Sequence, residues 1–308
     1  MIYEPFTIAI VPTLNPGQAW RSFLSAYCAQ QSPRPHCIVL DSESTDCVVE
    51  ESVSIQGVTL YRVSRERFSH GGTRQEAVDK FAANAEFVIF LTQDALLLAP
   101  DSLNKLMSGF DNPKVAAVYG RQVPHADANP IAAHSRLFNY PEKSRTFTFD
   151  DANKLGIRVC FMSNSFGAYR LKAFKEVGGF SNEVILGEDM QIAARLLKAG
   201  YAVRYQADAK VSHSHNYSLL NEFRRYFDTG VFHSQQAALF QQFGRVTGSG
   251  LQFVRSEINY LLRNAPWKLP EAACRTLFKA LAFKMGLAYK NIPKFICRRL
   301  SLSKGHWK

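Results

Sequence analysis

Nothing in this chain restricts its fold more than Phe87-Val88-Ile89-Phe90-Leu91-Thr92-Gln93-Asp94-Ala95, where a run of large apolar residues ends abruptly on a single carboxylate. Such a run, bounded by polar residues, reads as a strand buried on both faces, the situation of a parallel strand covered by helices. In open α/β sheets, ligands bind just outside the carboxyl ends of the strands, so this strand delivers Asp94 to a binding position. A carboxylate there can hold a hard divalent cation, and such a cation neutralises a diphosphate. The competing reading is that Asp94 caps the next helix.

The surrounding pattern supplies the rest of a sheet. Thr7 to Val11 reads as a short buried strand ended by Pro12, and the Asn15-Pro16-Gly17 turn leads into a helix carrying Trp20, Phe23, Leu24 and Tyr27. Ile38-Val39-Leu40 is a second strand closed by Asp41, and Val58 to Val63 a third. After a Gly71-Gly72 loop, Thr73 is placed to cap a helix through Ala77, Val78 and Phe81. Further strands are expected at Val115–Gly120 and Tyr201–Tyr205, with a helix inside Val184–Leu197 that has Asp189 near its start. Residues 124–158 are polar and read as one long connection, a kind of segment that is often functional. Strands alternating with helices predict an α/β, doubly wound, mostly parallel sheet.

Four strings occur in the order expected of an inverting, nucleotide-sugar-dependent glycosyltransferase of the GT-A fold: Val39 to Asp46, Leu91 to Ala95, Gly187-Glu188-Asp189 and Val211 to His215. Within that large family two, the chain most resembles the bacterial rhamnosyltransferase branch. The closer match lies in Ser69-His70-Gly71-Gly72-Thr73-Arg74, Leu91-Thr92-Gln93-Asp94-Ala95, His213 to Tyr217, and Arg225-Tyr226-Phe227-Asp228-Thr229-Gly230. The resemblance covers about residues 5 to 240. It implies a GT-A domain over 1–240, with a nucleotide-binding half to about 120 and an acceptor half from about 121.

Several residues take roles from the residue chemistry and the resemblance together. Asp41 and Ser42 lie where a Rossmann-like half binds a nucleoside, and the resemblance implies a contact of Asp41 with base or ribose. A turn built from Asx and Ser side chains is the plainer reading. Pro12, Thr13 and Asn15 would form the opposite wall. Glu43 and Cys47 stand where the family often has glycine. Gly72 and Arg74 open a helix whose free N–H groups and fixed cation suit a phosphate, and Gln93 is assigned to the donor beside Asp94. The resemblance makes Asp94 the last acidic residue of a metal motif whose first position is Thr92 here, a one-carboxylate version. The implied cation is Mg²⁺ or Mn²⁺, with His213 as an added ligand and His215 as its alternative; an imidazole suits Mn²⁺ better.

Inversion at a sugar carbon requires a base for the attacking hydroxyl, and a carboxylate in reach can serve. The resemblance assigns that role to Asp189, with Glu188 orienting it or touching the acceptor. The alternative is an acidic first turn that only complements the helix dipole. Asn164, Ser165 and Phe166, in a string running to Arg170, are the implied acceptor contacts, and Gly178-Gly179-Phe180 matches the family as well.

Charge separates the tail from the rest. The chain of 308 residues carries a net +11, and from residue 241 onward thirteen basic residues face only Glu257 and Glu271, which leaves 1–240 formally neutral. Basic and large apolar residues interleave there at near-helical spacing, so 241–308 reads as a basic amphipathic helical tail for an anionic membrane surface. A neutral core argues against a nucleic-acid partner. No apolar run reaches the roughly 20 residues of a membrane span, and Met1 to Pro5 shows no leader pattern. Six cysteines without a CxxC pair suit reduced thiols in a cytoplasmic protein held at the inner face of the membrane. The resulting expectation is transfer of a deoxyhexose, L-rhamnose from dTDP-L-rhamnose, to a lipid-linked saccharide of a surface polysaccharide. Another nucleotide sugar, or a non-catalytic nucleotide-sugar-binding protein, is the alternative. Oligomeric state is not legible.

Overall fold

A computed structural model describes residues 6–244 and 249–308. The N-terminal stretch read for a leader, and Arg245 of the basic tail, lie outside them. Nine strands form one sheet: β1 (Thr7–Thr13), β2 (His36–Asp41), β3 (Val58–Arg62), β4 (Phe87–Leu91), β5 (Leu96–Leu97), β6 (Val115–Val123), β7 (Arg145–Phe147), β8 (Phe166–Arg170) and β9 (Ala202–Ser212). Their order is β3-β2-β1-β4-β8-β6-β9-β5, with β7 also on β9. The pairings β1–β2, β2–β3, β1–β4 and β6–β9 are parallel. β8 runs antiparallel to both β4 and β6, so those two point the same way and the sheet is mostly parallel, as expected.

The helices are α1 (Ala19–Cys28), α2 (His70–Phe81), α3 (Ser102–Met107), α4 (Pro130–Asn139), α5 (Ala152–Leu155), α6 (Leu171–Glu176), α7 (Glu188–Lys198), α8 (Leu219–Gln235), α9 (Ala237–Phe240), α10 (Ser249–Asn264), α11 (Leu269–Leu287) and α12 (Lys294–Leu300). Alternate residues of the central strands enter cores on opposite faces. Ile8, Ile10, Val88 and Phe90 pack with α2, α6, α7 and α8 on one face. Ala9, Val11, Ile89 and Leu91 pack with α1 and α3 on the other. This is why β1 and β4 read as continuous apolar runs.

Some local expectations change. Pro12 does not end β1; the strand continues to Thr13, pairing Pro12 with Leu40. Pairing to β4 stops at Ile10, and Thr13 turns its carbonyl to Ser42 on the β2 side. The missing N–H of Pro12 therefore faces the side where no ladder bond is required. α2 is capped by Ser69, whose hydroxyl accepts from the Gly72 N–H at 3.0 Å, and not by Thr73. Residues 124–158 are not one irregular connection. They hold α4, opened by Asn129 accepting from the Ala132 N–H at 2.9 Å with Pro130 at the first helical position, and also β7 and α5.

Glu43 and Cys47 keep the glycine-type backbone, with φ of 58° and 55°. A side chain there costs about 1–2 kcal/mol relative to right-handed backbone. Cys47→Gly should therefore raise unfolding free energy by about 1 kcal/mol in urea titration, less than the full strain because glycine is freer when unfolded. An unchanged or lowered midpoint would show that the loop carries no such strain.

The tail folds onto the rest of the chain. α11 crosses α8 at Gly230 and Gly286, so closely that a Cβ on Gly230 would lie 2.9 Å from the Gly286 Cα. Ala282 and Cys297 join the same core as β1 and β4. Buried Asp228 accepts from the backbone N–H groups of Leu302 at 2.9 Å and Ser303 at 3.2 Å, tying the C-terminal residues to α8. Gly230→Val should cost about 3 kcal/mol or more in thermal unfolding, because neither backbone can retreat without opening the core. No helix among the described residues is long and apolar enough to cross a membrane.

Candidate functional site

The carboxyl ends of β1, β2, β4, β6 and β9 bring two groups of side chains to one edge of the sheet, and the start of α7 builds another. The first surrounds Asp94. The β4–β5 turn and the antiparallel pairing of Leu96 with Ser212 set Asp94 beside the end of β9. Asp94 Oδ1 lies 3.4 Å from His213 Nε2, and Oδ2 lies 3.6 Å from His215 Nδ1. One ligand atom from each of the three residues falls within 4.8 Å of the others. The sequence held His213 and His215 as alternatives; the structure brings both to Asp94. Burial alone would push the Asp94 carboxyl up, but the hydrogen bond and charge of His213 hold it well below the usual carboxylate range. Burial, reinforced by His213, pushes the His215 imidazole down to about 4.

Gln122 was not singled out in the sequence. Its Oε1 lies 2.8 Å from His213 Nδ1, and its Nε2 donates to Ser163 Oγ at 2.9 Å. This fixes the imidazole with Nε2 turned to Asp94, the second-layer support that histidine ligands receive in metal sites. One carboxylate and two imidazoles, one of them braced by Gln122, form a donor set that fits a divalent cation tolerant of imidazole. A glutamine at a strand end carries no sequence signal for this role; its partner lies 91 residues away.

The second group is built on the start of α7. Gly187 takes φ 76°, and a Cβ there would lie 2.8 Å from the Phe232 ring, so glycine is required. Glu188 is buried, 3.2 Å from Arg74 Nη1, and accepts from Asn164 Nδ2 at 3.0 Å. Tyr169 Oη donates to Asn164 Oδ1 at 2.7 Å. Asp189 Oδ2 accepts from the Asn164 N–H at 3.1 Å and Oδ1 from the Met190 N–H at 2.8 Å. Burial and the neighbouring Glu188 charge raise the Asp189 carboxyl to about 6. Burial opposes ionisation of Glu188 too, but Arg74, His70 and the Asn164 hydrogen bond together outweigh it and hold this carboxyl below its ordinary value. The two carboxylates thus separate into a fixed anion, Glu188, and a proton acceptor, Asp189. If Asp189 serves as a base it must be deprotonated, so activity should fall as pH drops through about 6. A pH–rate profile flat from 7.5 to 5 would remove Asp189 from that role.

The structure redirects several expected contacts. Arg74 does not face a phosphate; its guanidinium is buried against Glu188 and the His70 carbonyl, at 2.8 Å from the latter. Gly72 is explained by crowding, since a Cβ would lie 2.6 Å from Ser69 Oγ and 2.9 Å from Asn182 Cβ. Phe166 is not at the cleft: it is fully buried in β8 against Gly120, because its register opposite Leu91 turns it into the α1-side core. Ser165 is half-buried, its N–H on Ser163 Oγ at 3.3 Å. Phe180 packs edge-on against Phe90 and Tyr169 in the core.

The third group joins the β1 and β2 loops. Asp41 is fully buried and accepts from Thr13, Ser44 and Arg62. It organises the loop, whereas Arg62 is half-exposed at the rim. Ser42 is buried beside it. Asn15 accepts from the Thr45 N–H at 2.7 Å and donates its own N–H to Ser44 Oγ at 2.8 Å. Gln93 grips the backbone of Leu14 in both directions, at 2.7 and 3.2 Å, linking this wall to the Asp94 turn.

Comparison with known proteins bears directly on this arrangement. Residues 87–295 match the family described as glycosyl transferase family group 2. The O-antigen chain rhamnosyltransferase RfbN of Salmonella typhimurium is 45% identical over 298 residues, covering 97% of this chain and 95% of that one. The O-antigen chain rhamnosyltransferase WbaN of Salmonella anatum is 44% identical, covering 98% and 95%. Among solved structures, a mannosyltransferase from Pyrobaculum calidifontis in complex with GDP-Man and Mn²⁺ superposes with a TM-score of 0.58 at 21% identity, covering 99% of this chain and 86% of that one. That last likeness concerns the GT-A fold.

Proposed function

This chain belongs to glycosyl transferase family group 2, and from that premise we propose that it transfers L-rhamnose from dTDP-L-rhamnose, with inversion, to a lipid-linked saccharide during O-antigen assembly. The observation that carries the sugar and the pathway is the nearly full-length likeness to O-antigen chain rhamnosyltransferases.

In this reading residues 1–240 are the catalytic domain, with the nucleoside held to about residue 120 between the Thr13–Asn15 and Ser42–Ser44 loops. Asp41 acts there through the loop it organises. Asp94, His213 and His215 would hold the divalent cation, with Gln122 fixing His213. A bound cation supplies positive charge to the leaving diphosphate. Asp189 takes the proton of the acceptor hydroxyl as its oxygen bonds to the anomeric carbon. The bond from that carbon to phosphate oxygen breaks on the opposite face, and dTDP leaves with the electron pair. Arg74, Glu188 and Asn164 hold Asp189 in place.

The tail 241–308 supplies the membrane contact. Trp267, Leu277, Leu281 and Phe295 are exposed among lysines and arginines, a pattern suited to an anionic lipid surface. Proton NMR of the product formed from dTDP-β-L-rhamnose and a lipid-linked acceptor tests the reaction. An α-rhamnosyl linkage is expected. A β linkage, or no transfer from this donor while another nucleotide sugar reacts, contradicts the proposal.

A further inference from the structure

Beside His215 lies a cavity of about 110 Å³ that none of the roles above uses. Arg136 of α4, Arg225 of α8, and Arg275 and Lys279 of α11 line it, and Glu222 is the one carboxylate in its lining among the described residues. Glu222 is engaged by Arg275 at 2.6 Å and Lys279 at 3.0 Å. Among the described residues, Arg136 and Arg225 have no carboxylate in ion-pair range. Arg275 is also paired with Glu271 at 2.8 Å and Arg225 is exposed, so four cations meet two acids and a surplus of positive charge remains around half-buried Arg136. That surplus is costly unless an anion meets it.

Two of the four cations come from the tail, which the sequence set apart as a membrane element. Arg275 also donates to the Tyr217 carbonyl at 3.1 Å, two residues beyond His215. The loop carrying His213 and His215 is therefore braced by α11. Another brace is Asn216, which accepts from the Asn129 N–H at 2.9 Å, at the start of α4. Among the described residues, none of the nucleoside half lines the cavity.

We propose that this cavity is a diphosphate subsite, built jointly by the catalytic domain and α11, that holds a phosphate-bearing end of a substrate next to the cation cluster. Fork-shaped guanidinium groups beside an ammonium suit phosphate oxygens. Two substrates could supply the group: the diphosphate of the nucleotide sugar, or the diphosphate joining an acceptor saccharide to its lipid. This choice rests on the glycosyl-transfer reading; the anion binding itself does not.

The first experiment titrates inorganic pyrophosphate into the full-length protein with EDTA present, so that no cation can mediate. Saturable binding is expected, weakened about tenfold in both Arg136→Gln and Lys279→Gln, the loss of one charge-assisted contact. Glu222→Gln, which removes the opposing acid, should bind at least as tightly as the parent. Melting temperatures confirm that the variants are folded. No saturable binding by the parent, or equal binding by both cation variants, overturns the proposal. Kinetics then separates the sources. If the acceptor supplies the group, Lys279→Gln raises KM about tenfold for a diphosphate-linked acceptor and leaves it unchanged for the same saccharide on an uncharged alkyl chain. If the donor supplies it, KM for the nucleotide sugar and the inhibition constant of the nucleoside diphosphate rise together. Pyrophosphate binding that is lost without any change in either KM marks an adventitious ion only, and overturns the substrate role.

Discussion

Asp189→Asn should lower kcat by about a thousandfold, the middle of the range for losing a positioned general base, and leave dTDP affinity within about twofold of the parent. The substitution removes the proton-accepting oxygen and keeps nearly the same volume. The amide can still accept one of the two backbone N–H groups that Asn164 and Met190 offer. The hydrogen bonds that Asp189 accepts come from Asn164 and Met190, outside the nucleoside half, so donor affinity should hardly move. Glu188→Gln should behave differently. It leaves Arg74 as a buried cation without its carboxylate, a loss on the order of 3–5 kcal/mol of stability, and its kinetic defect should track lowered melting. Near-normal turnover in a folded Asp189→Asn protein would remove Asp189 as the base.

Asp94→Ala should be the other severe variant. Among the described residues Asp94 is the only carboxylate in the cluster with His213 and His215, so its loss leaves two imidazoles to hold a dication. Loss of roughly 4 kcal/mol of transition-state stabilisation, about a thousandfold in kcat/KM, follows if the cation is what neutralises the leaving diphosphate. Mn²⁺ binding, read by electron paramagnetic resonance, should disappear in step. His215→Ala, which keeps Asp94 and the Gln122-braced His213, should weaken Mn²⁺ binding less than Asp94→Ala does. Unchanged Mn²⁺ affinity in Asp94→Ala would place the cation elsewhere.

Much of this site could be read in the chain because its parts sit at strand ends. β4 announces itself by five consecutive apolar residues, and Asp94 follows after Thr92 and Gln93. Glu188 and Asp189 follow a glycine and open a helix whose buried face repeats at helical spacing. What stayed hidden depends on partners distant in sequence. Gln122 acquires its role only from His213, and Arg74 changes from a phosphate ligand to the counter-ion of Glu188 only when α2 meets α7. Phe166 reads as an acceptor contact until its register against Leu91 turns it inward. α4 had an Asn129-Pro130 start signal, but its packed face is short and is met by α10 from the tail, so the surrounding polar residues masked it. The cavity beside His215 was illegible for the same reason: its cations come from three helices spread over more than a hundred residues.

The most direct test is nucleotide release. Purified protein is incubated with dTDP-L-rhamnose and, separately, with UDP- and GDP-sugars, in Mn²⁺, with and without a lipid-linked saccharide acceptor. Acceptor-stimulated release of dTDP from dTDP-L-rhamnose, abolished by EDTA and absent with the other donors, is the predicted result. Release from a different donor, or none from dTDP-L-rhamnose despite measurable dTDP binding, would contradict rhamnosyl transfer as the function of this chain.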